Sequence, residues 1–135
     1  MSLLESAEKL AQFAEREAHR IQVAMTICVL DVHGNIVLKH RMDGAILVSI
    51  EMAERKAFAT IALKMKTSDI SARAQPGEQF FVFSLAAGDR YWTDGGGVPF
   101  LIDGQMVAGL GVSGGSIEQD VAMAEAAIEA FNRAA

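Results

Sequence analysis

Cysteine is almost missing from this chain. Cys28 is the one thiol among 135 residues, so no internal disulfide and no CxxC metal motif can form. A reducing, cytoplasmic setting is the expectation. Aromatic residues number nine and prolines two, Pro76 and Pro99. Basic charge is also short: 12 Lys and Arg against 17 Asp and Glu leave a net charge of −5 and a pI near 5.1. That balance lacks the basic footprint of a nucleic-acid-binding protein. Long apolar runs are missing too. The charge-free stretch Gly104 to Ile117 holds five glycines and falls short of the ~20 apolar residues of a membrane span. The opening Met1-Ser2-Leu3-Leu4-Glu5 has no basic region and reads as no signal peptide. Three histidines occur without HxxxH or HExxH spacing, so no zinc site is implied. No GK[ST] motif is present, which excludes a P-loop.

What is present is small and apolar. Hydrophobic residues make up 51% of the chain, and 22 of them are alanine. With 12 glycines, Ala and Gly form a quarter of the sequence, which favours close backbone approach over a large aromatic core. Disorder is excluded, since disordered chains are poor in large aliphatics and rich in charge. The length suits one domain over residues 1–135. Charge is uneven: residues 39–73 carry +3, whereas 1–38 carry −2 and 74–135 carry −6. The basic middle stretch leaves room for a small anionic ligand.

The spacing of Leu3, Ala7, Leu10, Ala11, Ala14 and Ala18 predicts a helix over Ser2 to Arg20, opened by a Ser2…Glu5 capping box. Val23 to Leu30 and Ile36 to His40 read as strands of a hairpin turned at Asp31 to Asn35. Ser49 is placed to cap a helix from about Ile50 to Lys64, and Ser68 to Ala74 adds a short helical turn. Phe80 to Leu85 and Arg90 to Thr93 read as strands, with a turn at Ala87 to Asp89 between them. Phe100 to Ile102 and Met106 to Val112 form a hairpin around Asp103-Gly104, and a Ser116…Gln119 capping box opens a last helix to about Phe131. The order α-β-β-α-β-β-β-α predicts an α+β fold, with a central antiparallel sheet and helices packed on it.

Several positions carry candidate chemistry. Gly109 to Gly114 matches GxGxxG, but the chain has no later strand to complete a dinucleotide-binding βαβ unit. What remains is an anion held near Ser113 to Ser116, or a glycine turn that lets a helix lie close to the sheet. Gly95-Gly96-Gly97 is unsuited to a helix or strand interior. It would admit a flat ligand, or else form a bulge or a subunit contact. Arg41 and Asp43 follow a strand, where a charged pair lines a cleft mouth. Lys56 lies near the apolar face of the second helix; it either snorkels its stem or reaches a ligand carboxylate. His33 reads as a solvated turn residue and Cys28 as an inert buried thiol. His19, in the last turn of the first helix, suits the helix dipole, and a single imidazole such as His19 or His40 can serve as an axial haem ligand.

Taken in order, these motifs resemble one family nearly end to end. They are Asp31-Val32-His33-Gly34, Arg41 to Ala45, Ser49 with Ala53 and Lys56-Ala57, Gly95 to Pro99, Asp103-Gly104, Gly109 to Gly115, and Asp120. The chain is similar to the GlcG/HbpS-like haem-binding proteins, whose domain also forms the C-terminal part of PduO-type proteins. Where that family often has a Pro-Thr pair after the second helix, this chain reads Lys66-Thr67-Ser68. The resemblance implies a profilin-like layered fold, a homo-oligomer, and binding of haem or, as a lesser candidate, a corrinoid.

On that basis the expected function is tetrapyrrole binding for storage, delivery or sensing. Arg41 and Lys56 would pair with propionates, Gly95, Gly96 and Gly97 would lie against the ring, and His19 would be the first candidate for the iron ligand, with His40 second. A cobalamin adenosyltransferase activity is not expected, since the family places it in a different domain. Two alternatives stand beside this reading. One is a small enzyme acting on a carboxylated metabolite with Asp43, Lys56 and Ser113; the other is an oligomeric structural module without ligand. No nucleic acid or membrane partner is expected.

Overall fold

The computed structural model describes residues 1–82 and 90–135. Helix α1 (Leu3–Ile21) is followed by the hairpin β1 (Thr26–Asp31) and β2 (Ile36–Arg41). Helices α2 (Ser49–Leu63) and α3 (Thr67–Arg73) come next, then the hairpin β3 (Gly97–Ile102) and β4 (Gln105–Ser113), and finally α4 (Ile117–Ala134). The four strands form one antiparallel sheet in the order β2-β1-β4-β3. The α+β sheet with flanking helices therefore matches the sequence expectation.

Alternation along the strands sorts the two faces. Ile27, Val29, Phe100, Ala108, Leu110 and Val112 turn to α1 and α4, and with Leu10, Met123 and Phe131 they form the larger core. Phe100 and Phe131 meet edge to face at 4.9 Å, an arrangement that contributes about 0.5–1.5 kcal/mol beyond simple burial. The opposite face turns Cys28 and Leu30 to Ala53 and Ala57 of α2. Here β4 presents Gly109 and Gly111 instead of side chains. A Cβ on Gly111 would lie 1.9 Å from the Ala53 carbonyl oxygen, and one on Gly109 2.4 Å from Thr60 Oγ1. The glycine run thus brings a helix onto the sheet, but the helix is α2, earlier in the chain, not the one that follows.

Several boundaries differ from the sequence reading, each for a local reason. Ser116 caps α4 with the full reciprocal box, whereas Ser2 accepts the Glu5 amide alone. Ser49 caps nothing. It lies inside α2, its hydroxyl donating to the Ile46 carbonyl and meeting Thr26 Oγ1 at 2.7 Å, because a buried hydroxyl opposite β1 takes the partners that surround it. Arg90 to Thr93 is not a strand: Arg90 lies over the Phe58 ring at 3.9 Å and Tyr91 tilts against the same ring. The expected Phe80 to Leu85 strand is a turn over Phe80 to Val82, its remainder and the Ala87 to Asp89 turn lying outside the described residues. Gly97 opens β3, since its amide donates to Thr67 Oγ1 at 2.8 Å where a side chain would collide. Lys66, just before α3, holds φ −65°, a value that a proline ring would also adopt.

Candidate functional site

The sheet topology gathers the candidate residues at one end of the molecule. Arg41 and Ser113 are each the register partner of Thr26, so the ends of β2 and β4 meet the start of β1. His19 closes α1 just before that point, and α2 and α4 both begin there. Gly97 opens β3 opposite Gly111. His19, His40, Arg41, Asp43, Gly95, Gly96, Gly97 and Ser113 thus share one end of the fold, although they span nearly a hundred positions of sequence.

They do not share one role. Lys56, one residue before the helix–sheet contact at Ala57, is only 2% exposed. Its ammonium donates to Asp120 Oδ2 at 2.9 Å and to the Val112 carbonyl at 3.0 Å. Asp120, 3% exposed, accepts the Gly115 amide through Oδ1 at 2.9 Å. Burial pushes the Asp120 carboxyl above its usual range, against the Lys56 ammonium and the Gly115 and Gly114 amides, which pull it down. The ammonium is thereby bound to partners inside the protein, joining α2 to α4 and to the end of β4. Asp120 was visible in the sequence only as a motif residue; its partner 64 positions away carried no local signal.

The glycine triplet is likewise filled from within. A Cβ on Gly95 would lie 2.4 Å from Val121 Cγ2, and one on Gly96 2.6 Å from the Val112 carbonyl oxygen. Gly96 also has φ +128°, a conformation that side chains rarely adopt. The space into which side chains at these glycines would project is filled by the protein's own atoms. Ser113 is buried at the sheet's end.

The outer rim is different. Arg41 donates to the Ala45 carbonyl at 2.8 Å, shaping the loop between β2 and α2. That loop turns three successive aliphatic side chains outward, Ile46, Leu47 and Val48, with Leu47 81% exposed. A shallow depression of about 540 Å³ runs along Leu47, Val48, Ile50 and Glu51. Ile117, at the start of α4, is exposed at the same end. His19 and Asp43 are exposed, and His40 is half-exposed with its Nδ1 against Glu15 of α1. Together they form a contiguous exposed apolar patch, where scattered single apolar residues are the ordinary surface pattern. The sequence shows the run Ile46-Leu47-Val48, yet nothing in its local pattern distinguishes it from core.

Among the described residues no cluster of three His, Cys, Asp or Glu is built to hold a free metal ion, and no helix is long and apolar enough to cross a membrane. Cys28 is buried, its thiol pushed up to about 12 mainly by burial.

Comparison with known proteins places this architecture. The Salmonella typhimurium protein named corrinoid adenosyltransferase PduO is 37% identical over 124 residues, covering 92% of this chain. The match spans only 37% of PduO's own length. A crystal structure described as a PduOC:heme complex superposes with a TM-score of 0.92 at 36% identity, covering 98% of this chain and 95% of that one. The crystal structure of HbpS superposes with a TM-score of 0.83 at 31% identity, covering 96% of this chain and 89% of that one. The family model described as haem degrading protein HbpS-like matches residues 3–129. The chain belongs to the HbpS-like family.

Proposed function

We propose that this protein binds haem at the end of the sheet where α1 finishes and α2 begins, as an accessory protein that stores, delivers or senses it. The observation that carries the reading is the exposed Ile46-Leu47-Val48 loop at the same end as His19, His40 and Arg41. Haem combines an apolar disc, an iron that takes an imidazole, and two propionates. The loop supplies apolar contact surface, and either histidine is accessible as an iron ligand. The positive ends of the α2 and α4 dipoles, with Arg41 at the end of β2, favour carboxylates at this end. These residues fit the group. Lys56 and the Gly95 to Gly97 triplet support the site from beneath, by holding the loops in place.

The same surface is too open for one protomer to cover both faces of a haem. A homo-oligomer in which a second copy packs over the aliphatic loop accounts for its exposure, and a chain with one cysteine, Cys28, accords with a cytoplasmic setting. Titration of the purified protein with haemin tests the reading, with a cobalamin as competitor. A saturable Soret shift, lost when Ile46, Leu47 and Val48 are replaced together by Ser, Gln and Thr, is expected. Absence of any Soret shift in the wild-type protein refutes it. Displacement by the cobalamin would instead favour the corrinoid. Light scattering with and without haemin reads the self-association.

A further inference from the structure

The basic stretch between residues 39 and 73 is largely neutralised within the fold. Lys39 pairs with Glu54, Arg55 with Glu51, Lys56 with Asp120 and Lys66 with Glu125. A guanidinium from later in the chain stands differently. Arg90 Cζ lies 3.9 Å from the centre of the Phe58 ring, and among the described residues no carboxylate pairs with Arg90. The ring beneath it is held from several sides. Phe58 packs on the cluster of Cys28 and Leu30, Tyr91 tilts against it at 5.5 Å, and a Cβ on Gly34 would lie 3.3 Å from Phe58 Cε2.

Leu30, Gly34, Glu54, Arg55, Phe58 and Arg90 line a cavity of about 220 Å³ between α2 and the turn of the first hairpin. It lies at the Leu30 end of β1, away from Thr26, whose strand partners Arg41 and Ser113 mark the end where the histidines gather. A drug-sized ligand occupies about 300–1,000 Å³. Haem is therefore too large for this cavity, and a molecule of a few heavy atoms fits it. The charges select further. Lys39 with Glu54 and Arg55 with Glu51 cancel in pairs, which leaves the charge of Arg90. A guanidinium over a ring keeps its in-plane N–H donors for other partners, and one carboxylate accepts two of them side by side. Arg55 holds Glu51 through Nη2 at 3.1 Å, and among the described residues its Nε and Nη1 donors have no partner. Glu54, on the cavity wall, opposes a second negative charge on the ligand. Leu30 and Phe58 offer apolar contact to a short carbon chain.

We propose that this cavity binds a small monocarboxylate, its carboxylate held by the guanidinium groups of Arg90 and Arg55 and its apolar body set against Leu30 and Phe58. Phe58 is the positioning residue, since the face of an aromatic ring attracts the cation that lies over it. The site stands apart from the haem surface, at the other end of β1, and does not depend on haem being bound.

The test titrates the full chain with sodium propionate, with sodium phosphate and, at matched ionic strength, with sodium chloride. Proton–nitrogen NMR spectra follow the arginine Nε–H signals and the Gly34 amide. Propionate is expected to shift the Arg90, Arg55 and Gly34 signals saturably, while chloride leaves them in place. Arg90→Gln should weaken propionate binding on the order of tenfold, the scale of a hydrogen bond to a charged group, and Arg55→Gln should weaken it several-fold. Arg90→Lys keeps the charge without the fork and should also bind less well than wild type. Arg133→Gln, which removes a surface cation paired with Glu129 on α4, should bind propionate as wild type does. Circular dichroism melts confirm that each variant is folded. A chloride response equal to that of propionate overturns the site, as does wild-type affinity in both Arg90→Gln and Arg55→Gln. Tighter binding of phosphate than of propionate overturns the choice of a monocarboxylate. Competition between haemin and propionate overturns the separation of the two sites.

Discussion

Replacing Lys56 by methionine separates a structural lysine from one that serves a ligand. The substitution keeps the length and apolar stem of the side chain but removes its charge. Left behind are Asp120, 3% exposed, and the Val112 carbonyl, each losing a donor at 2.9 and 3.0 Å. Breaking a buried ion pair from one side costs about 3–5 kcal/mol. For a domain of 135 residues that corresponds to a loss of melting temperature on the order of 10–18 °C. Asp120→Asn should cost a similar amount, whereas Lys56→Met with Asp120→Leu should return to within about 1–2 kcal/mol of wild type. The pH dependence has a definite sign. Burial already raises the Asp120 carboxyl, and Lys56 opposes that shift. Without the lysine the folded state holds the Asp120 proton at higher pH than the unfolded chain does. The Lys56→Met deficit should therefore shrink as pH falls from about 7 to about 5 and grow as it rises. Thermal denaturation followed by circular dichroism measures all three variants. A Lys56→Met protein that melts within a few degrees of wild type but no longer binds haemin would refute the reasoning and return Lys56 to the ligand.

Gly111→Ala forces a methyl to within 1.9 Å of the Ala53 carbonyl and should destabilise by about 3 kcal/mol or more. Gly104→Ala has open space and only its φ of +78° to resist it, so chemical denaturation should show roughly 1–2 kcal/mol. Cys28, with its thiol pushed up to about 12, should react with a thiol reagent only at the rate of unfolding; fast labelling of the native protein would contradict its burial. Asp31 accepts the amides of Asn35 and His33 in the first hairpin, and these bonds hold its carboxyl below the ordinary 3.8. Its contribution is present above that value and lost as pH falls through the lowered one. Asp31→Ala should thus flatten the acid limb of the stability curve below about pH 4.

Where a signal was local, it could be read from the chain. The helical spacing of small apolar residues in α1 and the capping box at Ser116 each depend on neighbours within four positions, and both elements stand as expected. The first hairpin follows from Asp31, whose carboxylate binds amides two and four residues on. Arg90 to Thr93 has the composition of a strand but stacks on Phe58 instead. Ser49 resembles a cap, yet its hydroxyl is turned to Thr26, 23 positions earlier. Propensity is a weak prior where a distant partner competes for the same group.

The candidate site divides along the same line. Local sequence determined which residues had chemistry to offer: three imidazoles, a basic middle stretch, and glycines in two clusters. Only the tertiary structure decided what each could still do. It bound Lys56 to Asp120 across 64 positions and filled the space opposite Gly95, Gly96 and Gly97 with the chain's own atoms. It also turned Ile46, Leu47 and Val48 outward and brought Glu15 of α1 against His40. A side chain's type is fixed by the sequence. Its freedom to meet a ligand depends on whether burial has already given it a partner, and burial is a property of the packed molecule.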